Sequence, residues 1–162
     1  MIAIICAMEE EFNQVAKMME NAKFEQLSCF KTAIGKIEKE KCIVSLCRVG
    51  KVHAAICTQS LIMKYSPKLI LNVGVAGAMD KNLNIGDAVV ASGVIQHDVD
   101  ISAFPHRKKG EISGINLVEI KTTKWVKEKL LKCLSGISEI KSCEGIILTG
   151  DQSINSKEKL RK

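Results

Sequence analysis

Ile2–Cys6 is an unbroken apolar run at the start of the chain and reads as a buried first strand. In Glu9–Glu20 the apolar residues Phe12, Val15, Ala16 and Met19 fall at helical spacing behind a leading group of carboxylates, which predicts a helix. Ser28–Ile37 and Lys41–Cys47 predict two strands joined by the polar turn Glu38–Lys39–Glu40. After the break at Gly50, Val52–Met63 predicts a second helix ending near Ser66–Pro67. Lys68–Val73 reads as another buried strand, running into the Gly-rich turn Gly74–Ala78. Ile85–Val99 is a long strand-like stretch with bends expected at Gly86 and Gly93, and Phe104–Gly114 is a polar, basic loop. Thr122–Leu134 predicts a helix with Trp125, Val126, Leu130 and Leu134 on one face; Glu144–Thr149 is a last strand and Gly150–Asn155 a loop. No repeat or low-complexity linker divides the chain. The expected fold is α/β: a single domain over residues 1–162 with a central mixed, mostly parallel sheet flanked by helices. Ile2–Cys6, Ile43–Cys47 and Leu69–Val73 should be neighbouring buried strands of that sheet.

Composition narrows the class. The 162 residues are 46% hydrophobic, enough for a real core, and 26% charged, which excludes a disordered chain. Aromatics are only 4%, so the core should be largely aliphatic, as in buried parallel strands. A net charge of +6 raises the question of nucleic acid. The lysines are spread out, however, with local runs only at Arg107–Lys109 and Lys157–Lys162, and no aromatics are interleaved for stacking on bases. A solvated basic surface is the better account, and no nucleic-acid partner is expected. Seven cysteines, no CxxC, and the placement of Cys6, Cys42, Cys47 and Cys57 in apolar runs indicate buried, reduced thiols in a cytosolic protein. Three scattered histidines offer no zinc site. Met1–Ala7 is too short for a signal peptide or membrane span, so a soluble, cytoplasmic protein with no membrane partner is expected.

Three motifs can carry chemistry. Ala7-Met8-Glu9-Glu10-Glu11 lies where the first strand ends, the position at which open α/β sheets bind ligands. One of its carboxylates can point into a pocket while the others face water, but from this stretch alone the better reading is that all three complement the dipole at a helix N-terminus. Asn72-Val73-Gly74-Val75-Ala76-Gly77-Ala78 has glycines that allow close approach of a flat ligand or a tight strand-to-helix turn, without the spacing of a dinucleotide fingerprint or P-loop. His97-Asp98-Val99-Asp100 superficially suggests a metal, but with no further ligand cluster it reads better as a loop network of hydrogen bonds. The absence of GxSxG removes support for a serine hydrolase.

Taken together and in order, Ala7–Glu11, Arg48-Val49-Gly50-Lys51-Val52, Asn72–Ala78, Gln96–Phe104 and Leu148–Asn155 closely resemble the 5′-methylthioadenosine/S-adenosylhomocysteine nucleosidase family. The likeness covers essentially the whole chain with matching intervals. It implies a nucleoside phosphorylase-like fold and water-driven cleavage of the bond between adenine and a ribosyl thioether, with no metal and no cofactor. By the same resemblance Glu11 matches the general base, and Met8 and Val49 line the ribose and alkylthio region. Val75, Ala76 and Gly77 match the turn beside adenine, and Ile154 the residue whose backbone reads the adenine edge. Ile101 and Phe104 match a loop that crosses a homodimer to close the partner subunit's pocket.

Three departures stand out. Val75 replaces a serine found in many relatives, and Ser153 replaces an aromatic that stacks on adenine, a contact worth about 1–3 kcal/mol. Nothing after Lys162 supplies the ribose-binding Met-Glu segment or the Ser-Asp segment whose aspartate protonates adenine at N7, so little or no activity is expected of this polypeptide as written. A phosphorylase of the same fold is the alternative enzyme, but Asn72 and Val75 stand where phosphorylases carry arginine and serine to hold phosphate. A non-catalytic adenosine-binding remnant is the alternative outside catalysis.

Overall fold

The first strand is apolar at every position because both of its faces are covered. In the computed structural model, which describes residues 1–152 and 154, β1 (Ile2–Cys6) sits inside a five-stranded sheet. Its odd residues Ala3 and Ile5 pack with Phe30, Ile43, Cys57 and Leu61, whereas Ile4 and Cys6 pack with Phe12, Ala16, Met19 and Val44. The period of two along the strand thus feeds two cores, one on each face. Each core is closed by one helix: α1 (Glu9–Lys17) through Phe12 and Ala16, and α2 (Lys51–Tyr65) through Cys57 and Leu61. Leu61 is fully buried, which stabilises the fold by about 1.5–3 kcal/mol relative to exposure.

The sheet also holds β2 (Glu20–Leu27), β3 (Phe30–Ile37), β4 (Glu40–Leu46) and β5 (Leu69–Asn72), in the order β2-β3-β4-β1-β5. The three expected neighbours are therefore adjacent: β1 pairs in parallel with β4 and with β5. β5 is only half-buried, as the edge strand of this sheet. β2 was not expected. Its residues are mostly polar or charged and mostly exposed, with only Leu27 buried, so no apolar run marks it. It forms because β2, β3 and β4 make an antiparallel meander with turns at Ser28 (φ 55°) and Glu38 (φ 52°). For the same reason the first helix stops at Lys17, not at Glu20. Gly35 is required here: a Cβ would lie 2.8 Å from the Glu20 carbonyl at the bulge of β2.

The chain divides into two compact units, Met1–Ala76 and Gly77–Lys162. The second has its own sheet, β7-β6-β8, in which β6 (Ala88–Gln96) pairs in parallel with β8 (Ser142–Thr149) and antiparallel with β7 (Glu119–Lys121). The fold is α/β with mixed sheets, as expected. The described strands form two sheets, not one central sheet, with three parallel and three antiparallel pairings. β6 begins three residues later than the apolar run suggests. Ile85 is fully exposed because the preceding residues fold into a turn: Asn84 N donates to Asp87 Oδ2 at 2.8 Å, and Gly86 has φ 96°. The bend expected at Gly93 is present as a register irregularity between Ala91 and Gly93.

α3 (Lys124–Leu134) packs on β6 and β8. It buries Val126, with Leu130 and Leu134 half-buried, but Trp125 is exposed. Adjacent residues point in directions about 100° apart on a helix, so Trp125 cannot share the face that Val126 turns inward. All seven cysteines are free, and Cys6, Cys42, Cys47 and Cys57 are buried, as their apolar surroundings predict. Among the described residues no helix is long and apolar enough to cross a membrane.

Candidate active site

Because β4, β1 and β5 are parallel neighbours, their carboxyl ends lie on one edge of the sheet, and three of the sequence motifs leave from there. Met8 follows β1, Val49 follows β4, and Gly74 and Val75 follow β5. The adjacency continues past the ladders: Cys47 N donates to the Cys6 carbonyl at 2.8 Å and Val73 N to the Ile5 carbonyl at 3.1 Å. Such an edge is where open α/β sheets bind ligands.

Glu11 is the carboxylate this edge organises. It is the third residue of α1, so its side chain turns back toward the strand end. Its Oε2 accepts from Ala7 N at 2.9 Å and from Met8 N at 3.0 Å, the latter being the capping contact of the helix. Its Oε1 accepts from Val75 N at 3.1 Å, a bond spanning 64 positions of sequence. Gly74 makes room for this approach: a Cβ there would lie 2.8 Å from Glu11 Oε1 and 3.1 Å from Cδ. Glu9 and Glu10 are exposed by contrast, and Glu9 pairs with Lys31 at 3.3 Å on the surface. The two readings of the acidic triplet therefore divide between residues. Glu9 and Glu10 sit in the first turn as charges near the helix N-terminus, and Glu11 is drawn into the strand edge.

Just beneath lies Cys6, whose thiol is pushed up to about 11, first by burial and then by the charges of Glu11 and Cys47. It therefore stays protonated at neutral pH and adds no second negative charge beside the carboxylate. Burial pushes the Cys47 thiol up as well.

The structure brings Glu11, Met8 and Val75 together through these bonds. Val49 stands at the same strand edge with an exposed side chain; its carbonyl meets His53 Nδ1 at 2.9 Å one helical turn on. The Val75 side chain is 79% exposed, and Ala76 is exposed too. Ala7 and Gly74 were not singled out as site residues. Ala7 contributes only a backbone amide, and the signal for Gly74 was the glycine-rich turn itself, whose close approach turns out to include the Glu11 carboxylate.

In the second unit, Gly77 is exposed and open around its Cα. Ile101 is half-buried, Phe104 is 66% exposed, and Ile154 is half-buried; Ser153 lies outside the described residues. The expected hydrogen-bond network after β6 is present. Asp100 Oδ1 accepts from Ser102 N at 3.0 Å and Ser102 Oγ at 2.6 Å, bonds that hold its carboxyl below the usual range. Asp98 Oδ2 accepts from Asp151 N at 2.7 Å. The loop beyond Phe104 is pinned by a buried carboxylate: Glu111 receives Arg107 Nη1 at 2.5 Å and Lys108 N at 2.9 Å, and the Arg107 bond foremost holds its carboxyl low.

Comparison with known proteins fits this geometry. Residues 1–162 match the model of the phosphorylase superfamily, so the chain is a member of that α/β class. The 5′-methylthioadenosine/S-adenosylhomocysteine nucleosidase of Bacillus subtilis (strain 168) is 34% identical over 163 residues, an alignment covering 99% of this chain and 69% of the relative. The crystal structure of the nucleosidase of that name from Neisseria meningitidis, in complex with methylthio-immucillin-A, matches with a TM-score of 0.93 at 28% identity, covering 99% of this chain and 68% of that one. The futalosine hydrolase of Helicobacter pylori strain 26695 matches with a TM-score of 0.88 at 33% identity, covering 99% of this chain and 72% of that one. The chain belongs to the 5′-methylthioadenosine/S-adenosylhomocysteine nucleosidase family, and it spans about two thirds of the length of these relatives.

Proposed function

We propose that this chain carries the water-activating half of an N-glycosidase that splits 5′-methylthioadenosine and S-adenosylhomocysteine into adenine and the ribosyl thioether. The observation that carries the reading is the seating of Glu11. Ionised carboxylates have about four acceptor sites, and three of those of Glu11 are taken by the amides of Ala7, Met8 and Val75. That leaves one to receive a proton from water. All three donors are neutral backbone groups, so the negative charge remains available to stabilise positive charge developing on the sugar as the glycosidic bond lengthens. No metal or cofactor enters this scheme. Met8 and Val49 line the ribose and alkylthio side, Val75, Ala76 and Gly77 the adenine side, and the Ile154 backbone reads the base edge; Ser153 stands in the place of the stacking aromatic. Protonation of the leaving adenine at N7 falls to the segments that relatives carry in their remaining third.

The test is adenine release from 5′-methylthioadenosine in phosphate-free buffer, using this chain extended with the family's C-terminal segments. Free ribosyl thioether should appear with adenine. Turnover that begins only when phosphate is added, with a sugar phosphate as product, would establish the phosphorylase alternative instead. Binding of adenine without turnover by the extended form would establish the non-catalytic one.

We further propose a homodimer. Val52, Ile56 and Met63 are 66%, 48% and 77% exposed and fall four and seven residues apart, so they form one apolar stripe on α2, opposite the face that buries Cys57 and Leu61. Phe104 is a second exposed anchor, on the loop that the family resemblance sends to the partner. Sedimentation of the extended form should give a dimer at micromolar concentration, and Met63→Glu should shift it toward monomer; a monomer throughout would remove the proposal. The free cysteines fit a reducing cytoplasm.

A further inference from the structure

β6 and β8 are parallel partners that end together, Gln96 opposite Thr149, so the chains leaving them are neighbours. The ladder runs one step further, with His97 N donating to the Thr149 carbonyl at 3.0 Å. Beyond that the two chains close on each other. The His97 imidazole lies against Gly150 where a side chain would begin, and a Cβ at Gly150 would also come within 2.9 Å of Asp98 Cγ. Asp98 Oδ2 then accepts the Asp151 amide at 2.7 Å, the length of a strong charge-assisted bond. The effect is to fix the direction in which the backbone leaves β8, three residues before Ile154.

We propose that Asp98 is a positioning residue for adenine: by holding the Asp151 amide it aims the segment whose Ile154 backbone reads the base. The inference rests on the proposed function, in which Ile154 meets the adenine edge, and assigns to Asp98 a role in that contact. In this role Asp98 acts through the backbone of Asp151, whose amide it accepts. A hydrogen bond to the purine edge is sensitive to direction, so a shift of the Ile154 backbone by a fraction of an ångström weakens it while leaving the sheet intact. Gly150 serves the same end, since its missing side chain lets His97 and Asp98 approach.

The experiment is calorimetric titration of adenine into the chain and into Asp98→Ala and Asp98→Asn, with melting curves and amide exchange on all three. Asp98→Ala should weaken adenine binding about tenfold and speed exchange at the Asp151 amide, while the melting temperature stays within about 5 °C. Asp98→Asn, whose side-chain oxygen can still accept, should bind within about threefold of the original. Unchanged binding in Asp98→Ala would overturn the positioning role while leaving the nucleosidase reading in place. Loss in both variants together with a lower melting temperature would also overturn it, by showing a general defect. Failure of the unsubstituted chain to bind adenine, the arm read before any variant, would overturn this inference, while the nucleosidase reading stands or falls on turnover by the extended form.

Discussion

Replacing Glu11 with glutamine should leave the fold intact and lower adenine release by about 10²–10⁴-fold, the usual cost of removing a general base. The side chain keeps its size, but one of the carboxylate oxygens becomes an NH₂ group facing backbone N–H donors, and the amide oxygen that remains is too weakly basic to take a proton from water. Because Oε2 holds Ala7 and Met8 and Oε1 holds Val75, whichever end becomes NH₂ loses its amide contacts. Glu9→Gln and Glu10→Gln are the matched controls. Both residues are exposed, and Glu9 contributes only a surface pair with Lys31, so each should change turnover by less than about threefold. The measurement is adenine release by the extended form, beside circular dichroism of each variant. Equal losses from all three substitutions would show that no single carboxylate is distinguished.

Gly74→Ala should be nearly as damaging, although the residue carries no chemistry of its own. Its Cβ would lie 2.8 Å from Glu11 Oε1, closer than real contacts allow, with Cδ at 3.1 Å and Oε2 at 3.3 Å also tight, so the carboxylate must move. The carboxylate is tethered to Ala7 and Met8 on its other side, and movement breaks the bond to Val75 N first. A misplacement of about 1 Å at a catalytic group costs on the order of 10²-fold in rate, and that is the expected loss in kcat. Gly77→Ala supplies the contrast. A Cβ at Gly77 meets nothing within 4 Å, so the protein should tolerate it structurally, and any effect should fall on adenine affinity instead of the chemical step. A Gly74→Ala enzyme with unaltered kcat would mean that the Glu11 carboxylate has more room than the structure gives it.

Local pattern was a good guide wherever a segment's burial matches its own composition. β1 is apolar throughout because two helices cover it, and α2 and β4 read correctly for similar reasons. The motifs after β1, β4 and β5 were legible as loops at strand ends, and their order along the chain carried the family resemblance that the comparisons bear out. Where burial depends on partners distant in sequence, the pattern was silent. β2 is a largely polar edge strand, recognisable only through its pairing with β3, and β7 has three residues and no signal beyond its neighbour β6. Trp125 looked like a core residue because its hydrophobicity was visible and its direction on the helix was not.

The sequence by itself determined the α/β class, the buried parallel strands, the reduced cysteines and the set of residues eligible for chemistry. Residue types and their spacing are local properties, and they set burial and helix or strand preference. The distinction of Glu11 from Glu9 and Glu10 on physical grounds came only from the tertiary structure, because all three are the same residue type at one helix N-terminus. Parallel pairing of β1 with β5 decides it, carrying the Val75 amide across 64 positions to within 3.1 Å of one of those carboxylates and requiring a glycine at position 74 to let it in. The clasp of Asp98 on Asp151 arises the same way, across 53 positions, from the parallel pairing of β6 with β8. Hydrogen bonds of this length depend on distances of tenths of an ångström, and strand pairing and packing set those distances.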